Sequence, residues 1–126
     1  MKDFSKDEAI KIAKRFISEK LSSEVWYKNI KEDIKAILLY GSRAKETNRI
    51  GSDIDVLIIL PLEAEQKYTK GEYVIYFESY EMNVVLRSIE KLRTIDFKTD
   101  KFQKEIFRKS EFILENDGEV RKLLKT

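Results

Sequence analysis

Asp53 and Asp55 stand at the head of a continuous apolar run, DIDVLIIL, and a Gly41-Ser42 pair precedes them in LLYGSRAKETNRIGSDIDVLIIL. Side chains alternate along a strand, so Asp53, Asp55, Leu57 and Ile59 share one face and Ile54, Val56, Ile58 and Leu60 the other. The two carboxylates therefore project side by side, their stems about 7 Å apart. Like charges held that close and partly out of water favour protonation unless a cation sits between them, and a divalent metal resolves the conflict. Taken alone, an Asp-x-Asp pair is more often structural. Asp53 can accept hydrogen bonds from a turn after Gly51, and Asp55 can pair with a Lys or Arg.

Gly41-Ser42, where a strand gives way to a short helix, leaves backbone N–H groups open and adds one hydroxyl, which suits a phosphate. A bare Gly-Ser is usually a turn. The two pieces together carry more, because ten residues separate Ser42 from Asp53 and give G-S-x10-D-x-D. Average residue usage places that pattern in a chain of this length by chance on the order of once per thousand. Adjacent strands lie about 4.8 Å apart, so a phosphate held at the end of one can meet metals held at the start of the next. Metals clamping a triphosphate, neutralising developing charge and activating a hydroxyl are the chemistry of nucleotidyl transfer. Arg43 and Lys45, at the start of the short helix, suit phosphate charge or a solvated face equally well.

Composition narrows the alternatives. The chain contains no histidine and no cysteine. Ser-His-Asp and Cys-His nucleophiles, imidazole and thiolate zinc sites and disulfides are thereby removed. Any metal must be held by oxygen, which points to Mg2+ or Mn2+. The 25 basic and 23 acidic residues nearly cancel. Such a balance provides no large basic footprint for nucleic acid, which is not expected as a partner. No stretch has the roughly 18 to 20 apolar residues of a membrane span, and the charged N-terminus lacks a signal-peptide core, so a cytoplasmic location is expected. With 126 residues, 42% of them hydrophobic, one domain over residues 1–126 can bury a core.

The elements that must position these residues follow from periodicity. Ser5 and Glu8 form a capping box ahead of a helix over about residues 6–22, with a short irregular or helical connection at 24–33. IKAILLY, residues 34–40, is expected as a buried strand ending at Gly41, followed by a short helix at about 42–47 and a second strand at 53–60 that Pro61 helps end. A polar stretch leads to Gly71. YVIYFESY and EMNVVLRS are expected as the third and fourth strands, with Ser88 capping a short helix to about 94. A last amphipathic helix is expected to take Phe102, Ile106 and Phe107 and to continue through Phe112, Ile113 and Leu114, before a helical turn in EVRKLLKT. The result is an α/β (α+β) domain, a small mixed β-sheet of about four strands with helices packed on it.

The segment LLYGSRAKETNRIGSDIDVLIIL resembles the signature of the minimal nucleotidyltransferases of the DNA polymerase beta-like superfamily: a hydrophobic strand, G-S-R-A, a short helix, then G-S-D-[IL]-D and an apolar strand. The similarity in element order extends over most of residues 34–115. The resemblance implies that Gly41 and Ser42 bind nucleotide phosphates, with Arg43 beside them, and that Asp53 and Asp55 ligate Mg2+. The family draws a third carboxylate from a later strand, and there this sequence departs from it. The matching position in EMNVVLRS is Asn83, whose amide oxygen can ligate Mg2+ weakly but cannot serve as a base. Glu81, two residues back on the same face, can take over or can be a solvated edge residue.

Two functions of different class follow. The first is an enzyme transferring a nucleoside monophosphate, AMP from ATP, to a hydroxyl. Family members of this size resemble antitoxins whose partner is a small helical protein of the HEPN type, so the resemblance implies such a partner as acceptor. The second is a catalytically weakened nucleotide-binding module that neutralises its partner by contact, using Trp26, Tyr27 or the aromatics of YVIYFESY as surface. Those aromatics serve equally as ordinary core. No residue pattern identifies a base pocket or an acceptor.

Overall fold

The computed structural model describes residues 5–40, 53–96 and 99–124. Helix α1 (Lys6–Glu19) begins where Ser5 Oγ accepts the Glu8 N–H at 3.2 Å, and it buries Ala9, Ile12, Ala13 and Phe16. A 3-10 turn (Leu21–Ser23), α2 (Val25–Ile30) and a second 3-10 turn (Lys31–Asp33) form the connection to β1 (Ala36–Tyr40). Then come β2 (Ile54–Leu60), α3 (Leu62–Tyr68), β3 (Glu72–Phe77), β4 (Tyr80–Ser88), α4 (Ile89–Arg93), α5 (Lys101–Lys109), β5 (Glu111–Glu115) and α6 (Glu119–Leu124). Gly41, Ser42, Arg43, Lys45 and the short helix expected at 42–47 lie outside the described residues.

The five-stranded sheet has the order β3-β4-β2-β1-β5. Only the central β2–β4 pair is parallel, with Asp55 beside Asn83, while β1–β2, β1–β5 and β3–β4 are antiparallel. A parallel pair needs a crossover, and α3 with the edge strand β3 supplies it. The two-residue turn Glu78-Ser79 joins β3 to β4 and sets Tyr76 opposite Glu81. Glu78 takes the positive φ of 57° that such a tight hairpin demands at its first turn residue.

Both sheet faces are covered. Ile37, Leu39, Ile54, Val56, Ile58, Met82 and Val84 pack under α1, α2 and α3. Ala36, Leu38, Leu57 and Ile59 pack under α4, α5 and α6 through Ile89, Leu92, Phe107, Val120 and Leu124. Burial on both sides explains why β1 and β2 read as unbroken apolar runs.

Two expectations change. The polar stretch after Pro61 forms α3, a helix with a single buried residue, Ala64, too few apolar positions to print a helical period. Residues Phe112, Ile113 and Leu114 do not continue the last helix but form β5, making five strands where about four were expected. Ser110 ends α5 in an extended conformation, its hydroxyl donating to the Phe107 carbonyl at 2.7 Å, and β1 offers the following residues a free edge. Phe112 then packs on one core and Ile113 on the other, a period of two rather than 3.6.

Candidate active site

The register of three strands assembles the site on the sheet face shared with α4, α5 and α6. Asp55 pairs across the ladder with Tyr40, the residue that immediately precedes Gly41, so the end of β1 and the head of β2 meet. On the other side, parallel pairing sets Asn83 next to Asp55. Alternation then puts Glu81 on the same face, and the β3 register adds Val74 beside Asn83 and Tyr76 beside Glu81. Here the helical layer stops. Asp53, Asp55, Glu81 and Asn83 are half-buried, while Val74 and Tyr76 are 60% and 67% exposed.

Asn83 Nδ2 donates to Asp53 Oδ2 at 2.7 Å and to Asp55 Oδ1 at 3.4 Å. The two carboxylates thus converge on one point, and the positive end of an amide dipole stands where a cation would sit. Among the described residues, no three Asp, Glu, His or Cys side chains gather as a metal centre. A site of two carboxylates with an amide beside them fits Mg2+, which is commonly held by one or two carboxylates and completed by substrate phosphates and water.

Glu81 engages the neighbouring edge strand. Its Oε1 accepts the Tyr76 hydroxyl at 2.9 Å. That hydrogen bond, the Glu81 charge, slight burial and the nearby Asp53 charge all raise the Tyr76 pKa, so the phenol keeps its proton at neutral pH. In the sequence Tyr76 is one of the aromatics of YVIYFESY considered as contact surface or core, with no role assigned at the carboxylates. The alternation in YVIYFESY, which puts Val74 and Tyr76 together on one face, is the signal that could have found it.

A cavity of about 270 Å3 opens beyond Asp55 on the same face, bounded by Tyr40, Leu57, Arg87, Lys91, Gln103 and Phe107. Tyr40 leans on Phe107 with ring centroids 5.9 Å apart. These residues come from five separate elements, which is why no local pattern revealed them. Of the aromatics considered as contact surface, Tyr27 is buried and Trp26 stacks on Tyr73 at 4.2 Å. No helix among the described residues is long and apolar enough to cross a membrane.

The family model described as "Polymerase beta, Nucleotidyltransferase" matches residues 22–119. No curated protein matches the chain. Among solved structures, a protein from Sulfolobus solfataricus provisionally described as a nucleotidyltransferase is similar over 91% of each chain, at 16% identity and a TM-score of 0.45.

Proposed function

The chain belongs to the polymerase beta nucleotidyltransferase family, and on that premise we propose that it transfers AMP from ATP to a hydroxyl acceptor, with Mg2+ (or Mn2+) held by Asp53 and Asp55. The observation that carries this is the convergence of the two carboxylates on one point, 2.7 and 3.4 Å from the Asn83 amide nitrogen, beside the strand end that leads into Gly41-Ser42. When bound, the metal supplies neutralisation of charge developing on the triphosphate and activation of the attacking hydroxyl. Gly41, Ser42 and Arg43 receive the phosphates. Asn83 orients Asp53 and Asp55 through its two N–H bonds. The cavity at Tyr40, Leu57, Gln103 and Phe107 takes the nucleoside, its aromatic wall suited to a base and its Gln103 amide to the base edge.

The acceptor approaches from the opposite side, over Val74 and Tyr76, where the sheet face is open. Glu81 is the carboxylate on that side and receives the proton of the acceptor hydroxyl. A small helical protein of the HEPN type is the proposed acceptor, which makes the chain an antitoxin. Support comes from the signature LLYGSRAKETNRIGSDIDVLIIL and from the apolar, exposed approach beside the carboxylates.

One observation favours a second function, a nucleotide-binding module that neutralises its partner by contact. The position of the third carboxylate is held by a neutral amide whose N–H group, not an anionic oxygen, faces Asp53 and Asp55. The deciding experiment incubates the protein with Mg2+, α-labelled ATP and a HEPN-type protein encoded beside it. Label on the partner, abolished by Asp53→Asn, establishes transfer. Mg2+-dependent ATP binding without label on any acceptor rejects it in favour of the binding module.

A further inference from the structure

Tyr76 lies on the edge strand β3, is 67% exposed, and donates its phenolic hydrogen to Glu81 Oε1 at 2.9 Å. Met82 pairs with Ile54 in the parallel β4–β2 ladder, so Glu81, one residue earlier, stands beside Asp53 at the head of β2. The Tyr76 hydroxyl therefore occupies the open side of the carboxylate pair, opposite the cavity at Tyr40 and Phe107. The other tyrosines are placed differently. Tyr27 is buried, Tyr73 is stacked under Trp26 with its hydroxyl accepting from the Lys70 N–H, Tyr40 packs on Phe107, Tyr80 packs on the core across the sheet, and Tyr68 belongs to α3 on that same far face.

We propose that Tyr76 is itself a nucleotide acceptor, so that the protein nucleotidylylates its own edge strand. The Tyr76 oxygen attacks the α-phosphorus of a bound nucleoside triphosphate. An O–P bond forms, the α–β phosphoanhydride bond breaks, pyrophosphate leaves with its electron pair, and the phenolic proton passes to Glu81 Oε1, which already accepts its hydrogen bond. Glu81 both holds the phenol at the carboxylate site through that hydrogen bond and takes its proton, the role it has toward any acceptor hydroxyl. The product is a phosphodiester that fills the acceptor side and closes the site to any second hydroxyl. The proposal rests on the nucleotidyl-transfer function above and extends it to a modification site within the chain.

The test uses the purified chain alone with Mg2+ and each of the four nucleoside triphosphates, read by intact mass and peptide mapping. The expected result is a gain of one nucleoside monophosphate on the peptide carrying Tyr76, absent in Tyr76→Phe and in Asp53→Asn. A separate readout needs no turnover: nitration of Tyr76 by tetranitromethane slows several-fold when Mg2+ and α,β-methylene-ATP are present, while nitration of Tyr68, 37% exposed on α3, is unchanged. No mass gain, a gain on another residue, a Tyr76→Phe variant labelled as well as the parent, or equal nitration of Tyr76 with and without the analogue each overturns the proposal. Calorimetry with the same analogue separates the two levels. Mg2+-dependent binding that Asp53→Asn abolishes, without self-labelling, overturns only the Tyr76 acceptor, whereas no binding at all overturns the nucleotide site with it.

Discussion

The amide nitrogen of Asn83 lies 2.7 Å from Oδ2 of Asp53, across two strands that are 30 residues apart in sequence. With the second contact, 3.4 Å to Oδ1 of Asp55, it makes a neutral donor the partner of two carboxylates and determines how the site responds to substitution.

Asn83→Asp replaces the donor by a third carboxylate. Without metal, three like charges then share one point, and losing a hydrogen bond to a charged group costs about 1.5–3 kcal/mol. The apo protein is therefore expected to melt several degrees lower. With Mg2+ the order reverses: the added carboxylate raises metal affinity and transfer rate. Thermal melts with and without Mg2+, paired with the label-transfer assay, check both signs, and an unchanged response to Mg2+ would show that position 83 does not face the metal.

Glu81→Gln is expected to reduce transfer to a partner more than Asn83→Ala does. Gln cannot receive a proton, whereas the loss of the Asn83 amide leaves both aspartates in place. The expected cost is on the order of 100-fold for a lost general base. Single-turnover rates of the two variants decide the order, and the reverse ranking would make Glu81 a merely structural partner of Tyr76.

Phe16→Ala tests the layer that supports the sheet from behind. Phe16 is fully buried and meets Phe77 with ring centroids 5.7 Å apart. A buried Phe→Ala change costs about 3–5 kcal/mol through lost transfer energy and the cavity left behind. Urea unfolding should show that loss, and residual nucleotide binding in the still-folded fraction should be unaltered because the site lies on the other face.

The pH dependence of stability follows from the cluster that ties β1 to α4 and α6. Lys35 bonds Asp117 at 3.1 Å, and Arg93 Nε bonds Glu119 at 2.8 Å. The Arg93 hydrogen bond chiefly holds the Glu119 carboxyl below its usual range. For Asp117, burial pushes the carboxyl up but is outweighed by the Glu119 N–H and Lys35, so it too is lowered. Lowered folded-state values mean the contribution is complete above the unfolded carboxylate pKa, about 4, and is lost as pH falls through the folded values. The Asp117 bond raises the Lys35 pKa, so its share is complete below the unfolded lysine value and is lost as pH rises through the folded one. These are exposed pairs, worth less than about 1 kcal/mol each. Glu119→Gln should lower stability slightly at neutral pH and flatten its fall below pH about 4, measured by urea titration at several pH values.

The sequence by itself determined the local parts. Ser5 caps α1 and Ser88 caps α4 because a side-chain oxygen needs only the N–H three residues on, at 3.2 and 3.0 Å here. The pairing of Asp53 with Asp55 on one face of β2 required only a period of two. Tertiary structure decided the rest: that Phe112 and Ile113 join a strand rather than a helix, that Asn83 stands beside Asp55, that Tyr76 holds Glu81, and that Tyr40, Gln103 and Phe107 enclose one cavity. Each is a matter of which strand edge is free and which register joins segments far apart in the chain. Those choices are made by hydrogen-bonding edges and burial on both faces of the sheet, and no residue states them locally.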